Sequence, residues 1–112
     1  SYFMNKFNSD INPKNYYGHA LEENDLYKLE KYRNQRNERG FDDSETWSLD
    51  FTIASFIVPR LKRLIEIEKD LGVTATEYFS DLEKQIEILE KHDVNQECDL
   101  SLLKEHFTNL WW

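Results

Sequence analysis

Trp47, Phe51, Ala54, Val58, Leu61 and Ile65 place apolar side chains at alternating intervals of four and three, the repeat of one face of an α-helix. Ile53, Phe56, Ile57 and Leu64 widen that stripe until most of the circumference is apolar. A helix of this kind is predicted to be central, with others wrapped around it. Pro59 lies inside the run, where it removes the amide that would bond to the carbonyl of Ser55; a kink is expected there, not a break. Asp42 or Asp43 can cap the first free amides, with Glu45 three residues after Asp42 as in a capping box. The pattern therefore predicts a helix over residues 43–71, with the stripe through Trp47, Phe51, Ala54 and Val58 as its most buried part.

The rest of the chain supplies the wrapping. Residues 1–18 are irregular, Asn and Pro interrupting Phe3, Phe7, Ile11, Tyr16 and Tyr17, and read as an aromatic arm. Leu21, Leu26, Leu29 and Tyr32 mark one narrow stripe on a charged helix over 20–39, stopped by Gly40. Gly72 stops the central helix, and Thr74 with Glu77 predicts a second capping box, stapled by Val73 and Tyr78. A helix over 75–91 follows, docking through Tyr78, Phe79, Leu82, Ile86 and Leu89. Asp99 caps a last helix over 99–111 carrying Leu100, Leu103, Phe107, Leu110 and Trp111. Three glycines and two prolines are too few for a turn-rich β fold. The expectation is one all-α domain over residues 1–112, about four main helices around a Pro-kinked central one.

The stretch Gly40-Phe41-Asp42-Asp43, Glu45-Thr46-Trp47-Ser48-Leu49-Asp50, Thr52-Ile53-Ala54 and Pro59-Arg60-Leu61 resembles a group of small uncharacterised proteins encoded by tailed phages and prophages. Their shared pattern runs Gly-aromatic-polar-Asp, then Asp-Thr-Trp-x-Leu-Asp, then an apolar helix. The resemblance implies a phage origin and a helical domain, and it attaches no activity or catalytic residue to the chain. Residues 72–78 stand where that group carries a further Pro and Trp.

Charge narrows the partners. The formal net charge is −8. Residues 1–63 hold ten acids and ten bases, whereas residues 64–112 hold twelve acids and four bases, so the carboxyl-terminal half carries all of the excess. Direct nucleic-acid binding, which needs Lys and Arg to neutralise phosphates, is disfavoured; a basic partner is favoured. The basic cluster Lys31, Arg33, Arg36 and Arg39 ahead of Asp42, Asp43 and Glu45 is what two consecutive helix dipoles favour. One cysteine, Cys98, rules out an internal disulfide. With no apolar run of about 18 residues and no basic-then-apolar leader, a cytoplasmic location in a bacterial host cell is expected, and no membrane.

The chemistry-bearing side chains form no recognised set. His92, Asp93, Cys98, Asp99 and His106 match no zinc spacing. As a calcium loop, Asp93, Asn95 and Glu97 fit, but Cys98 stands where Gly is required and Lys104 where a bidentate Glu should be. No cofactor, metal or catalytic residue is expected, and the chain is read as a non-enzyme. Three surfaces remain for a partner. Glu83, Glu87 and Glu90 share the outer face of the helix over 75–91; Asp42, Asp43 and Glu45 line the acidic loop; Trp111 and Trp112 pack into the core or form a dimer or partner interface. The leading function is binding of a bacterial host or defence protein. The alternatives are an acidic DNA mimic that blocks a nucleic-acid-binding site, and a small enzyme or ligand-binding protein using the region from Asp42 to Asp50.

Overall fold

The structure is a computed structural model of the chain, and it describes Gly18 and residues 25–112. The expected arm over 1–18, the stripe residue Leu21 and the start of the first helix at residue 20 therefore lie outside the described residues, Gly18 apart. The described residues are all-α: helices α1 (Leu26–Arg39), α2 (Leu49–Asp70), α3 (Thr76–Glu90) and α4 (Ser101–His106), with 3-10 turns at Asp43–Thr46 and Phe107–Asn109, and no strand. The chain divides into two compact units by its internal contacts, residues 1–52 and 53–112, the division falling in the first turn of α2.

Within residues 1–52, Asp25 is extended and caps α1 ahead of Leu26. The Asp25 side chain accepts from the amides of Tyr27 at 3.0 Å and Lys28 at 3.4 Å. Gly40 ends α1 in the left-handed conformation, φ 86°, its amide bonded to the carbonyl of Arg36. The capping box at Asp42 and Glu45 forms, but it opens the short 3-10 turn instead of the central helix. Ser48 has φ 55°, and this left-handed residue interrupts the expected helix over 43–71. Helix α2 then starts at Leu49, with the Ser48 carbonyl accepting from Phe51 and Thr52.

That interruption corrects the expected core. Trp47 is extended at the end of the 3-10 turn, outside the helical register that would align it with Phe51. It is 68% exposed, and Phe51 is 39% exposed. The buried part of the stripe begins only at Ala54 and continues through Leu61 and Ile65, with Ile57 and Val58 packed against it. Away from that buried face, Ile53 and Phe56 of α2 stand about half exposed.

Pro59 lies inside α2 and the helix continues through it. Pro59 donates nothing to the carbonyl ladder. One turn earlier, the Phe56 carbonyl accepts from Arg60 Nη1 at 2.8 Å, and the same guanidinium lies 3.9 Å from the centre of the Phe56 ring.

Within residues 53–112, Gly72 closes α2 with φ 89°; Val73 donates to the carbonyl of Glu68 and Gly72 to that of Lys69, both at 3.0 Å. These two bonds are the paired closure that a left-handed glycine permits. The second expected capping box does not form. Ala75, not Thr74, occupies the cap of α3 and makes no side-chain bond, so Thr74 and Glu77 are one position out of register. Thr76 Oγ1 instead donates to the Thr74 carbonyl at 3.3 Å, and Val73 is 40% exposed. The docking face of α3 is as expected: Phe79, Leu82, Ile86 and Leu89 are buried, with Tyr78 packed against them.

The last helix is shorter than residues 99–111. Asp99 accepts from the amide of Ser101 at 2.9 Å, yet the α-helix ends at His106 and gives way to the 3-10 turn. Leu110 packs on the core, whereas Trp111 and Trp112 lie beyond the turn.

Candidate interaction surface

Of the three surfaces proposed from the sequence, the acidic loop is the most internally bonded. Asp42 is fully buried. Its Oδ2 accepts from Arg36 Nη1 at 2.5 Å, and its Oδ1 accepts from the amide of Ser44 at 2.8 Å and from the Ser44 hydroxyl. Its own amide donates to Glu45 Oε2 at 2.7 Å. Two charges taken out of water are tolerated only with this degree of bonding, so Asp42 is a structural residue with no surface to offer a partner.

Asp43 is exposed but held on both oxygens, by Arg39 Nη2 at 2.5 Å and Gln35 Nε2 at 2.9 Å, while its amide donates to Gln35 Oε1 at 2.8 Å. The Arg39 guanidinium, with Gln35 second, holds its carboxyl below the usual range. Glu45 moves the other way, because burial disfavours its charge more than the Asp42 amide favours it. Arg39 also lies 4.4 Å from the centre of the Phe41 ring. The loop is bonded back onto α1.

The row on α3 is exposed but not bare. Glu83 pairs with Lys69 at 3.5 Å, Glu87 with Lys91 at 2.7 Å and Glu90 with Lys62 at 3.3 Å. Lys62 and Lys69, one heptad apart on α2, reach across to α3. Lys91 keeps the Glu87 carboxyl below its ordinary value. Such exposed pairs add little to stability, but they turn a uniformly negative row into a mixed one.

The third surface is where apolar area is left in water. Trp111 is 72% and Trp112 69% exposed, so of the two placements considered for them, the monomer core is not the one adopted. Phe107, four residues before Trp111, is also exposed. With Trp47, every tryptophan of the chain stands largely in solvent.

Sequence reasoning missed the polar groups on which residues 53–112 close. Gln85 is fully buried on the apolar face of α3; it donates to the Asp99 carbonyl and accepts from the Leu103 amide, both at 2.9 Å. Glu68, nearly buried, accepts from the Tyr78 hydroxyl at 3.1 Å. His106 Nε2 lies 2.8 Å from Asp81 Oδ2, with Tyr78 edge-on to the imidazole. The spacing of Gln85 on its face was visible, but a glutamine there carries no signal of its partner.

The chain matches no protein-family model, no curated protein and no solved structure in comparisons with each. Among the described residues, no helix is long and apolar enough to cross a membrane.

Proposed function

We infer that this chain is a non-enzymatic interaction protein that meets a protein partner through exposed tryptophans, and that the partner is a bacterial host or defence protein, as the phage-protein resemblance of residues 40–61 suggests. The observation that carries the reading is the exposure of Trp47, Trp111 and Trp112, each more than two-thirds in solvent. Tryptophan combines large apolar area with little conformational freedom, and it is enriched among residues that dominate binding energy.

The two alternatives draw less support. A DNA mimic needs carboxylates arrayed as unpaired negative charge, whereas Glu83, Glu87 and Glu90 each carry a lysine partner. A site in the region from Asp42 to Asp50 would have to break the bonds that Asp42, Asp43 and Glu45 already make.

The test is affinity capture from bacterial lysate on the immobilised chain, run beside the W111A/W112A double variant and the E83Q/E87Q/E90Q triple variant. The reading expects a protein retained by wild type and by the glutamine variant but lost by the tryptophan variant. Loss in the glutamine variant alone, with binding that fades steeply in salt, points to charge mimicry. Identical capture by all three removes both surfaces.

A further inference from the structure

We propose that Asp81, Glu105 and His106 form a binding site for one divalent transition-metal ion of the zinc or cobalt type. A carboxylate oxygen of Asp81, a carboxylate oxygen of Glu105 and a ring nitrogen of His106 lie within 4.8 Å of one another. The expectation of no metal drew on neighbours along the chain, such as His92, Asp93 and Cys98. Asp81, 25 residues before His106, joins it only when α4 docks on α3.

The geometry is close to what a metal shell needs. Bonds of ~2.0–2.1 Å in a tetrahedral arrangement place ligand atoms about 3.3 Å apart. His106 Nε2 and Asp81 Oδ2 stand slightly inside that separation, at 2.8 Å. Glu105, which is exposed, can supply the remaining adjustment by turning its side chain. Its carboxylate makes no hydrogen bond or ion pair among the described residues.

Two of the ligands are preorganised. The Asp81 and His106 side chains are 13% and 15% exposed, and the Tyr78 ring meets the imidazole edge-on at 5.3 Å between centroids. Tyr78 is itself fixed by its bond to Glu68, and Gln85 anchors α4. An outer shell of this kind holds a ligating imidazole in one orientation.

Charge and ligand type select the ion. Two carboxylates and a neutral imidazole carry two negative charges, which a divalent cation neutralises. The imidazole favours zinc, cobalt or nickel over calcium or magnesium. Three protein ligands leave a fourth position for water on the side of exposed Glu105. Ligation through Nε2 requires that nitrogen to be free of a proton, so the neutral ring carries its one proton on Nδ1 in the bound state, and the contact between His106 Nε2 and Asp81 Oδ2 gives way to two bonds to the ion.

The experiment titrates Co²⁺ into the full chain and into E105Q and H106Q, reading visible d–d absorption together with thermal unfolding. Wild type is expected to saturate at one equivalent, with bands of low-symmetry cobalt and a raised Tm. H106Q should lose the bands. E105Q should bind at least about tenfold more weakly, since even outer-shell changes have effects of that size. E105Q leaves the bond between Asp81 and His106 in place, so it decides the matter even where H106Q does not fold. Absence of saturable bands in wild type, or equal affinity in wild type and E105Q, overturns the site and leaves the pair of Asp81 and His106 as a strap between α3 and α4.

Discussion

The side-chain oxygen of Gln85 accepts the backbone amide of Leu103 at 2.9 Å, so a glutamine of α3 caps α4 from across the core. Its amide nitrogen donates at the same time to the carbonyl of Asp99. Leu103 is the third residue of α4, and its amide is one of those a helix start leaves without an intrahelical acceptor. The local cap residue, Leu100, provides no side-chain bond. A helix of six residues has little stability of its own, and here its start is fixed by tertiary contact.

Gln85→Ala therefore removes two bonds from the Leu103 amide and the Asp99 carbonyl and empties a fully buried side-chain position, at a cost of about 2–4 kcal/mol. Denaturant melts give the total. Amide exchange should show Leu103 losing protection first. A loss below about 1 kcal/mol would mean that α4 is held by Leu110 and its apolar neighbours instead.

The buried pair of Arg36 and Asp42 makes a separable prediction. Asp42→Asn keeps an acceptor for Ser44 but leaves the Arg36 charge buried without its counterion, and should destabilise by about 3 kcal/mol. Adding Arg36→Met removes that charge as well and should recover part of the loss. A double-mutant cycle measures the coupling. Additive effects of the two substitutions would show that the two charges are not coupled.

Tyr78 makes a prediction at alkaline pH. Burial, and then the bond to the Glu68 carboxylate, push its hydroxyl from an ordinary 10.0 up to about 12. The folded state therefore holds this proton more tightly than the unfolded state. Its contribution to stability is present in full below pH 10 and is lost as pH rises through about 12. Tyrosinate absorbance should show one late-ionising tyrosine that is missing in Tyr78→Phe. Loss in that variant of a tyrosine titrating near the ordinary 10.0, with the late one retained, would place Tyr78 in open solvent.

What the sequence revealed was local, and what it hid was tertiary. Gly40 and Gly72 end their helices because a left-handed residue after an apolar repeat is a statement about a few neighbouring dihedrals. The box at Asp42 and Glu45 and the apolar face of α3 are legible for the same reason. Trp47 was misplaced because its spacing to Phe51 fits a helix, while Ser48, a residue with no strong preference for positive φ, breaks the register between them. The pairing of Lys62 and Lys69 with the α3 row and the capping by Gln85 depend on residues 14 or more positions away, which no window on one helix contains. Of the candidate surfaces, the tryptophans were visible by composition alone, but their exposure was not.

The central claim, that the tryptophans of the free chain stand in water and are available to a partner, is tested most directly by steady-state fluorescence with acrylamide quenching, repeated in Trp47→Ala. The account predicts emission at the wavelength of indole in water, quenching of the whole signal, and a loss of less than about 1 kcal/mol for Trp47→Ala, as for a surface substitution. Blue-shifted emission shielded from acrylamide, or a loss of about 3–5 kcal/mol for Trp47→Ala, would place the indoles inside the fold and contradict the account.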